Sequence, residues 1–257
     1  VSSRPADPRA APAGPSAQGA AVAPAALAGT PSGPAAAPAA PAAAPKAPPP
    51  IRYGPLAPRL PEGAVDLRAL VPGDGPLELE IGFGRGAFLL GRAAAAPEVR
   101  IVGLEIKAKW AYLVEERRKA RGLPNARAYG EDVREALPRL GPDGVLGRAY
   151  VFFPDPWWKK RHAKRRVLDP ALLDGLARLL RGSAAGAPPG ELFVQTDVEE
   201  RAEEVVALLR AHPAFALAEA SDARGYVGDN PFGARSNREA RAIADGLPIY
   251  RVLARRR

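Results

Sequence analysis

From about residue 75 onward, short apolar runs alternate with longer stretches whose apolar positions recur every three or four residues, which predicts alternating strands and helices. Leu77–Ile81 reads as a strand, followed by a glycine-rich turn and an alanine-rich helix from Gly86 to Ala96. A second strand, Arg100–Leu104, ends at Glu105; a charged helix then spans about Lys107 to Arg121, stopped by Gly122 with Pro124 just beyond. Asn125–Gly130 predicts a third strand and Val133–Leu140 a short helix. The apolar run Arg148–Phe153 is a fourth strand, buried as in a parallel sheet. Asp169 before Pro170 predicts an N-cap with proline at the first helical position, opening a helix that runs to Arg181. Leu192–Thr196 is a fifth strand ending at Asp197, and Glu199–Ala211 an amphipathic helix. Phe215–Ala218 and Ile249–Leu253 are the last strands, separated by a polar, glycine-rich stretch. The alternation and the short connections imply an α/β chain, with a doubly wound, mostly parallel, seven-stranded sheet and helices on both faces.

Residues 1–50 do not share this pattern. They are mostly Ala and Pro, with three basic residues (Arg4, Arg9, Lys46) and one acid, Asp7. Recurrent proline prevents helix and little is available to bury, so this stretch is expected to be a disordered, partly polyproline-like tail. The expected domain is then residues 51–257. Over all 257 residues the formal net charge is +9, and the tail carries little of it. An excess of that size favours an anionic partner, nucleic acid before a membrane surface. The chain has no cysteine and only two histidines, His162 and His212. Disulfides, thiolate nucleophiles and cysteine-ligated metals are excluded, and no metal site is expected. No apolar run approaches the roughly 20 residues of a membrane span. A cytoplasmic protein without a membrane partner is the expectation.

The densest chemistry follows the fourth strand, at Phe152-Phe153-Pro154-Asp155-Pro156-Trp157-Trp158-Lys159-Lys160-Arg161-His162-Ala163-Lys164-Arg165-Arg166. Prolines on both sides of Asp155 block helix and ladder alike, so a carboxylate sits on a stiff turn at the C-terminal end of a strand. Open α/β sheets place their ligands there. Two tryptophans and a basic run lie beside that acid, a combination suited to chemistry on a nucleic-acid base. Six Lys or Arg residues plus His162 take seven of the eight positions Lys159–Arg166, a density that clamps phosphates or, read more plainly, makes a solvated charged loop.

The first strand leads into Glu80-Ile81-Gly82-Phe83-Gly84-Arg85-Gly86. Glycines there allow a tight turn and a close ligand, although a packing turn would use them too. The spacing departs from G-x-G-x-x-G, and Glu80 would repel a pyrophosphate but not a cationic sulfonium ligand. Glu105 closes the second strand, where a carboxylate can accept from both ribose hydroxyls, and Asp132 after the third could take an adenine amino group. Singly each acid could be a solvated loop residue. Three at successive strand ends form the pattern of an S-adenosyl-L-methionine pocket.

These motifs, with Thr196-Asp197, resemble the bacterial tRNA (guanine-N7-)-methyltransferase family over roughly residues 75–257. The resemblance implies a Rossmann-like class I methyltransferase fold and methyl transfer from S-adenosyl-L-methionine to N7 of guanosine-46 in the tRNA variable loop. It places Glu80, Gly82, Gly84, Glu105, Asp132 and Asp155 at the cofactor, with Asp155 also catalytic. Lys159 and Asp197 would meet the substrate, while Arg161, His162, Lys164, Arg165 and Arg166 would meet RNA. Where the family usually has Thr-x-aromatic-Glu, this chain has Ser236-Asn237-Arg238-Glu239, which the resemblance assigns to substrate binding. Arg238 stands in the aromatic's place and could stack through its guanidinium plane. Asp245-Gly-Leu-Pro-Ile-Tyr-Arg251 restores the match.

The implied chemistry is physically consistent. Guanine N7 carries a free lone pair, so positioning and a favourable field can suffice without nucleophile or metal. Other readings are a methyltransferase of this fold with a non-tRNA substrate, and a non-catalytic RNA-binding module; a nicotinamide-dependent dehydrogenase is more distant. The expected assembly is a monomer or homodimer.

Overall fold

The computed structural model describes residues 51–154, 167–183 and 187–257. Seven strands form the main sheet: β1 Leu77–Ile81, β2 Arg100–Leu104, β3 Ala126–Tyr129, β4 Leu146–Phe152, β5 Glu191–Thr196, β6 Phe215–Leu217 and β7 Tyr250–Arg256. Their order is 3-2-1-4-5-7-6. Strands β1 to β5 pair in parallel, and β7 runs antiparallel between β5 and β6. Order reverses between β1 and β4, the switch point at which a doubly wound sheet opens a crevice above its strand ends. The connecting helices are α1 Ala87–Ala95, α2 Ala108–Ala120, α3 Pro170–Leu179, α4 Glu199–Ala211 and α5 Asn237–Ala244. A separate two-residue parallel pairing joins Val65–Asp66 to Leu140–Gly141.

Side chains alternate across the strands into two apolar layers. Leu79, Ile81, Val102, Leu104, Ala149, Val151, Leu192 and Val194 face one layer with α3 and α4. Ile101, Ala126, Tyr150, Phe152 and Phe193 face the other with Phe88, Leu89 and Phe232. Both faces of the central strands are thus covered, as their near-continuous apolar composition requires.

Most predicted elements are present within a residue or two, and the departures have local causes. The helix expected over Val133–Leu140 breaks after Ala136 into a 3₁₀ turn, Leu137–Arg139, because Pro138 has no amide to continue the α ladder. Strand β7 runs three residues past Leu253, since Arg255 and Arg256 keep pairing with Glu191 and Phe215 on its two neighbours. Helix α5 lies inside the stretch expected to be irregular. It buries only Glu239 and Ala242, so apolar periodicity cannot reveal it; the available sign was the capping pattern, in which the Ser236 side chain accepts from the Glu239 amide at 3.1 Å. Residues before the first strand are ordered too. Gly130 N donates to Pro58 O at 2.8 Å and Leu60 N to Glu131 Oε1 at 2.9 Å, laying that segment over the end of β3.

Strand β1 carries two glutamates into the interior, each 1% exposed. Glu78 is fully answered: Arg92 approaches at 2.9 and 3.0 Å, Arg148 at 3.3 Å, and the Tyr150 hydroxyl donates at 2.9 Å. Burial holds the Tyr150 phenol in its neutral form, and the Glu78 hydrogen bond holds Arg92 in its charged form. Arg92 also donates to Phe232 O at 3.1 Å, and the Phe232 ring packs 5.0 Å from both Tyr150 and Phe193. This ties the loop ahead of α5 to the sheet. Glu78→Gln would leave Arg92 buried without its counter-charge. It is expected to cost roughly 3 kcal/mol in urea denaturation with an unchanged m-value; a loss below about 1 kcal/mol would show that the pair contributes little.

Candidate active site

At the C-terminal ends of β1, β2 and β3 the three predicted acids stand in adjacent columns of the sheet. The glycine loop begins at the end of β1, and Gly82, Gly84 and Gly86 all have positive φ, at 72°, 52° and 75°. They serve different ends. A methyl group on Gly86 would lie 2.6 Å from Val114, so that glycine lets α1 pack on α2. At Gly82 and Gly84 it would meet nothing within 4 Å, leaving their backbone open to a ligand.

Glu105 spans the loop. One oxygen accepts the Gly84 amide and the other the Lys107 amide, both at 2.9 Å. Two backbone donors, one to each oxygen, fix its direction. Glu80 is treated oppositely. Its Oε2 is buried with no partner among the described residues. Burial first, then the neighbouring Glu105 charge, push its carboxyl up to about 8, against a smaller pull from the Leu89 amide. A buried carboxylate lacking a donor is costly, and the missing partner is a cation or a strong hydrogen-bond donor. Asp132 is half-buried and caps the turn after β3, accepting the Arg134 amide at 2.9 Å. Its sequence position signalled a site residue, and locally it also works as an N-cap.

Across the switch point, β4 ends in a strained residue. Phe153 has φ +46°, the one positive value outside glycine among the described residues. Pro154 bars the right-handed helical region to the residue before it, and the left-handed region costs about 1–2 kcal/mol for such a side chain. The Phe153 amide donates to Gln195 O at 2.6 Å, holding this turn against β5. Asp155, Trp157, Trp158, Lys159, Arg161, His162, Lys164, Arg165 and Arg166 lie outside the described residues, as does the tail, 1–50.

Asp197 follows β5 with a side chain only 10% exposed, paired with the largely exposed Arg238. Ser236 caps α5 and Asn237 is exposed on its first turn. Glu239 points inward and is 0% exposed. It accepts from Asn230 Nδ2 at 3.0 Å and Arg251 at 3.3 Å, and Arg251 continues to Gln195 Oε1 at 3.2 Å. Within the Ser236–Glu239 motif, Arg238 therefore faces the crevice side chains and Glu239 anchors the helix. The Asp197–Arg238 pair and the Arg251 relay were not legible in the sequence; no spacing rule joins residues so far apart.

Residues 74–252 match a family model described as a putative methyltransferase. A tRNA (guanine-N(7)-)-methyltransferase of Synechococcus sp. (strain JA-3-3Ab) is 39% identical over 71% of this chain and 73% of that protein. The chain belongs to the tRNA (guanine-N7-)-methyltransferase family. A family member from Myxococcus xanthus is 38% identical over 69% of this chain and 82% of its own length. The one from Rhodospirillum rubrum reaches 46% over a shorter 139-residue stretch. Among solved structures, the 16S rRNA methyltransferase KamB superposes with a TM-score of 0.51 at 19% identity, over 74% of this chain and 90% of its own, which marks the class I methyltransferase fold.

A methyltransferase of this family and fold takes its methyl group from S-adenosyl-L-methionine. The open glycine loop and the orphaned Glu80 oxygen fit that cationic donor. Among the described residues no three His, Cys, Asp or Glu are grouped to hold a metal, and no helix is long and apolar enough to cross a membrane.

The Glu80 geometry has a signed consequence. The unfolded carboxyl ionises near 4.5, whereas the folded one keeps its proton to about 8, so the folded state binds more protons between those values. This contribution is complete below the lower value and is lost as pH rises through the upper. Urea denaturation of the ligand-free protein from about pH 5 to about pH 8 should show wild type losing up to ~1.4 kcal/mol per pH unit against Glu80→Gln. Parallel pH profiles would contradict the assignment.

Proposed function

We propose that this chain transfers a methyl group from S-adenosyl-L-methionine to N7 of guanosine-46 in tRNA, in the cytoplasm, with residues 51–257 as the methyltransferase domain. The observation that carries this reading is the buried Glu80 oxygen, without a partner among the described residues, beside Glu105 at an open glycine loop, which asks for a cationic ligand. The family relationship supports the tRNA substrate, and the basic run Lys159–Arg166 supplies the charge for its phosphates.

When bound, S-adenosyl-L-methionine supplies an electrophilic methyl group on a positively charged sulfur. Guanine N7 already has an available lone pair, so no residue has to remove a proton before attack. The work left to the protein is positioning and field. Glu80, Glu105 and Asp132 hold the donor, Glu105 already aimed by the Gly84 and Lys107 amides. A cation against Glu80 Oε2 favours the ionised form of that side chain. Asp155, next in the chain after Phe153 and Pro154, serves as the catalytic residue and touches the donor. Asp197 accepts from the N–H edge of guanine, which adenine lacks at N1. Lys159 and the start of α5, at Ser236 and Asn237, meet the substrate, while Glu239 acts by mooring that helix. Arg161, His162, Lys164, Arg165 and Arg166 bind the RNA backbone.

Incubation with bulk tRNA and tritiated donor should place label in 7-methylguanosine on nucleoside analysis; label in any other nucleoside, or none, would reject the reading. Asp155→Ala should lower turnover on the order of 10²-fold while calorimetry still detects donor binding. Normal turnover would remove Asp155 from the mechanism. With about six phosphate contacts, tRNA affinity should fall on the order of 10³-fold between 50 and 200 mM salt; a nearly flat response would place the basic run elsewhere.

A further inference from the structure

The proposed acceptor side of the crevice contains one pairing that the reaction as described leaves unused. Arg238 directs both Nε, at 3.0 Å, and Nη2, at 2.5 Å, to the same oxygen of Asp197, Oδ2. No described residue donates to Oδ1. The Asp197 side chain is 10% exposed and that of Arg238 is 60% exposed, so the carboxylate is held in the wall while the guanidinium lies on its rim. The guanidinium carbon also sits 5.9 Å from the centre of the Phe153 ring, at the strained end of β4. Its backbone cannot drift, because the next residue, Glu239, is buried against Asn230 and Arg251. Arg238 thus bridges the ends of β4 and β5 from a fixed helix start.

We propose that Arg238 is a positioning residue for Asp197, occupying one carboxylate oxygen so that the other is turned toward an N–H of the acceptor purine. This rests on the reading of Asp197 as the group that meets guanine. A lone carboxylate at a strand end can rotate and present either oxygen. Two charge-assisted hydrogen bonds to one oxygen remove that freedom and leave Oδ1 without a donor among the described residues. An N–H edge is then accepted, whereas a ring nitrogen with a lone pair, as at N1 of adenine, sets acceptor against acceptor with no hydrogen between them. Two other roles suit an exposed arginine, stacking on the base and clamping a phosphate. Neither explains why both nitrogens converge on a single buried oxygen.

The roles separate in one variant series assayed by methyl transfer to tRNA. For Arg238→Ala, kcat/KM should fall about 10- to 100-fold, the range expected for losing a charge-assisted contact. Most of the loss should fall on kcat, because tRNA affinity comes mainly from phosphates. Donor affinity by calorimetry should stay within about twofold, which also reports that the variant folds. Arg238→Lys should recover part of the loss and Arg238→Tyr none. In an Asp197→Asn background, Arg238→Ala should cost little more, since the two act as a unit. Recovery by tyrosine would overturn the proposal in favour of stacking. A fall of about one in the salt-dependence slope of tRNA binding would overturn it in favour of a phosphate contact. Unchanged kcat/KM in Arg238→Ala would remove any role. Wild-type protein that methylates no tRNA would instead defeat the functional reading beneath it.

Discussion

Two carboxylates buried two residues apart on one strand set the character of this molecule. Glu78 and Glu80 leave β1 on the same face, equally hidden from water, and the fold answers them differently. Glu78 receives two arginines and a phenol. Its network reaches through Phe232 to the loop that leads to α5, so an electrostatic necessity inside the sheet becomes the mooring of a distant element. Glu80 receives no donor on its second oxygen from the described residues and sits in the field of Glu105. On the proposed reading the two have separate tasks, Glu78 serving stability and Glu80 a ligand.

The same division recurs on the other side of the switch point. Glu239 and Arg238 are adjacent in sequence and opposite in role, the first buried in the Arg251 relay and the second exposed against Asp197. Among the described residues the one positive φ outside glycine falls at Phe153, where the chain must leave the sheet before a proline. The amide of Phe153 is held by β5, and the side chain of Gln195 on that strand is held by β7 through Arg251. The antiparallel β7 therefore does more than complete the sheet; it supplies the arginine that fixes the start of α5 relative to the strand ends. Donor side and acceptor side are built on rigid elements, which is what catalysis by positioning requires.

Much of this was readable before any coordinates. Strand and helix positions followed from apolar period, and the acids at three strand ends stood out because each follows an apolar run of the right length. What escaped was of two kinds. Helix α5 is too polar for periodicity to find, and its capping residues had been read for chemistry and not for structure. The pairings Glu78 to Arg148, Asp197 to Arg238 and Glu239 to Arg251 join residues from different elements, and no local rule predicts which charges meet.

By itself, then, the sequence determined the alternation of strands and helices, the family, and the set of acids from which a site could be made, because those depend on local period and on motifs contiguous in the chain. Only the tertiary structure decided which acid is neutralised and which is left open. That outcome depends on the strand order, which brings β4 beside β1 and β7 beside β5, and so selects the partner each buried charge receives.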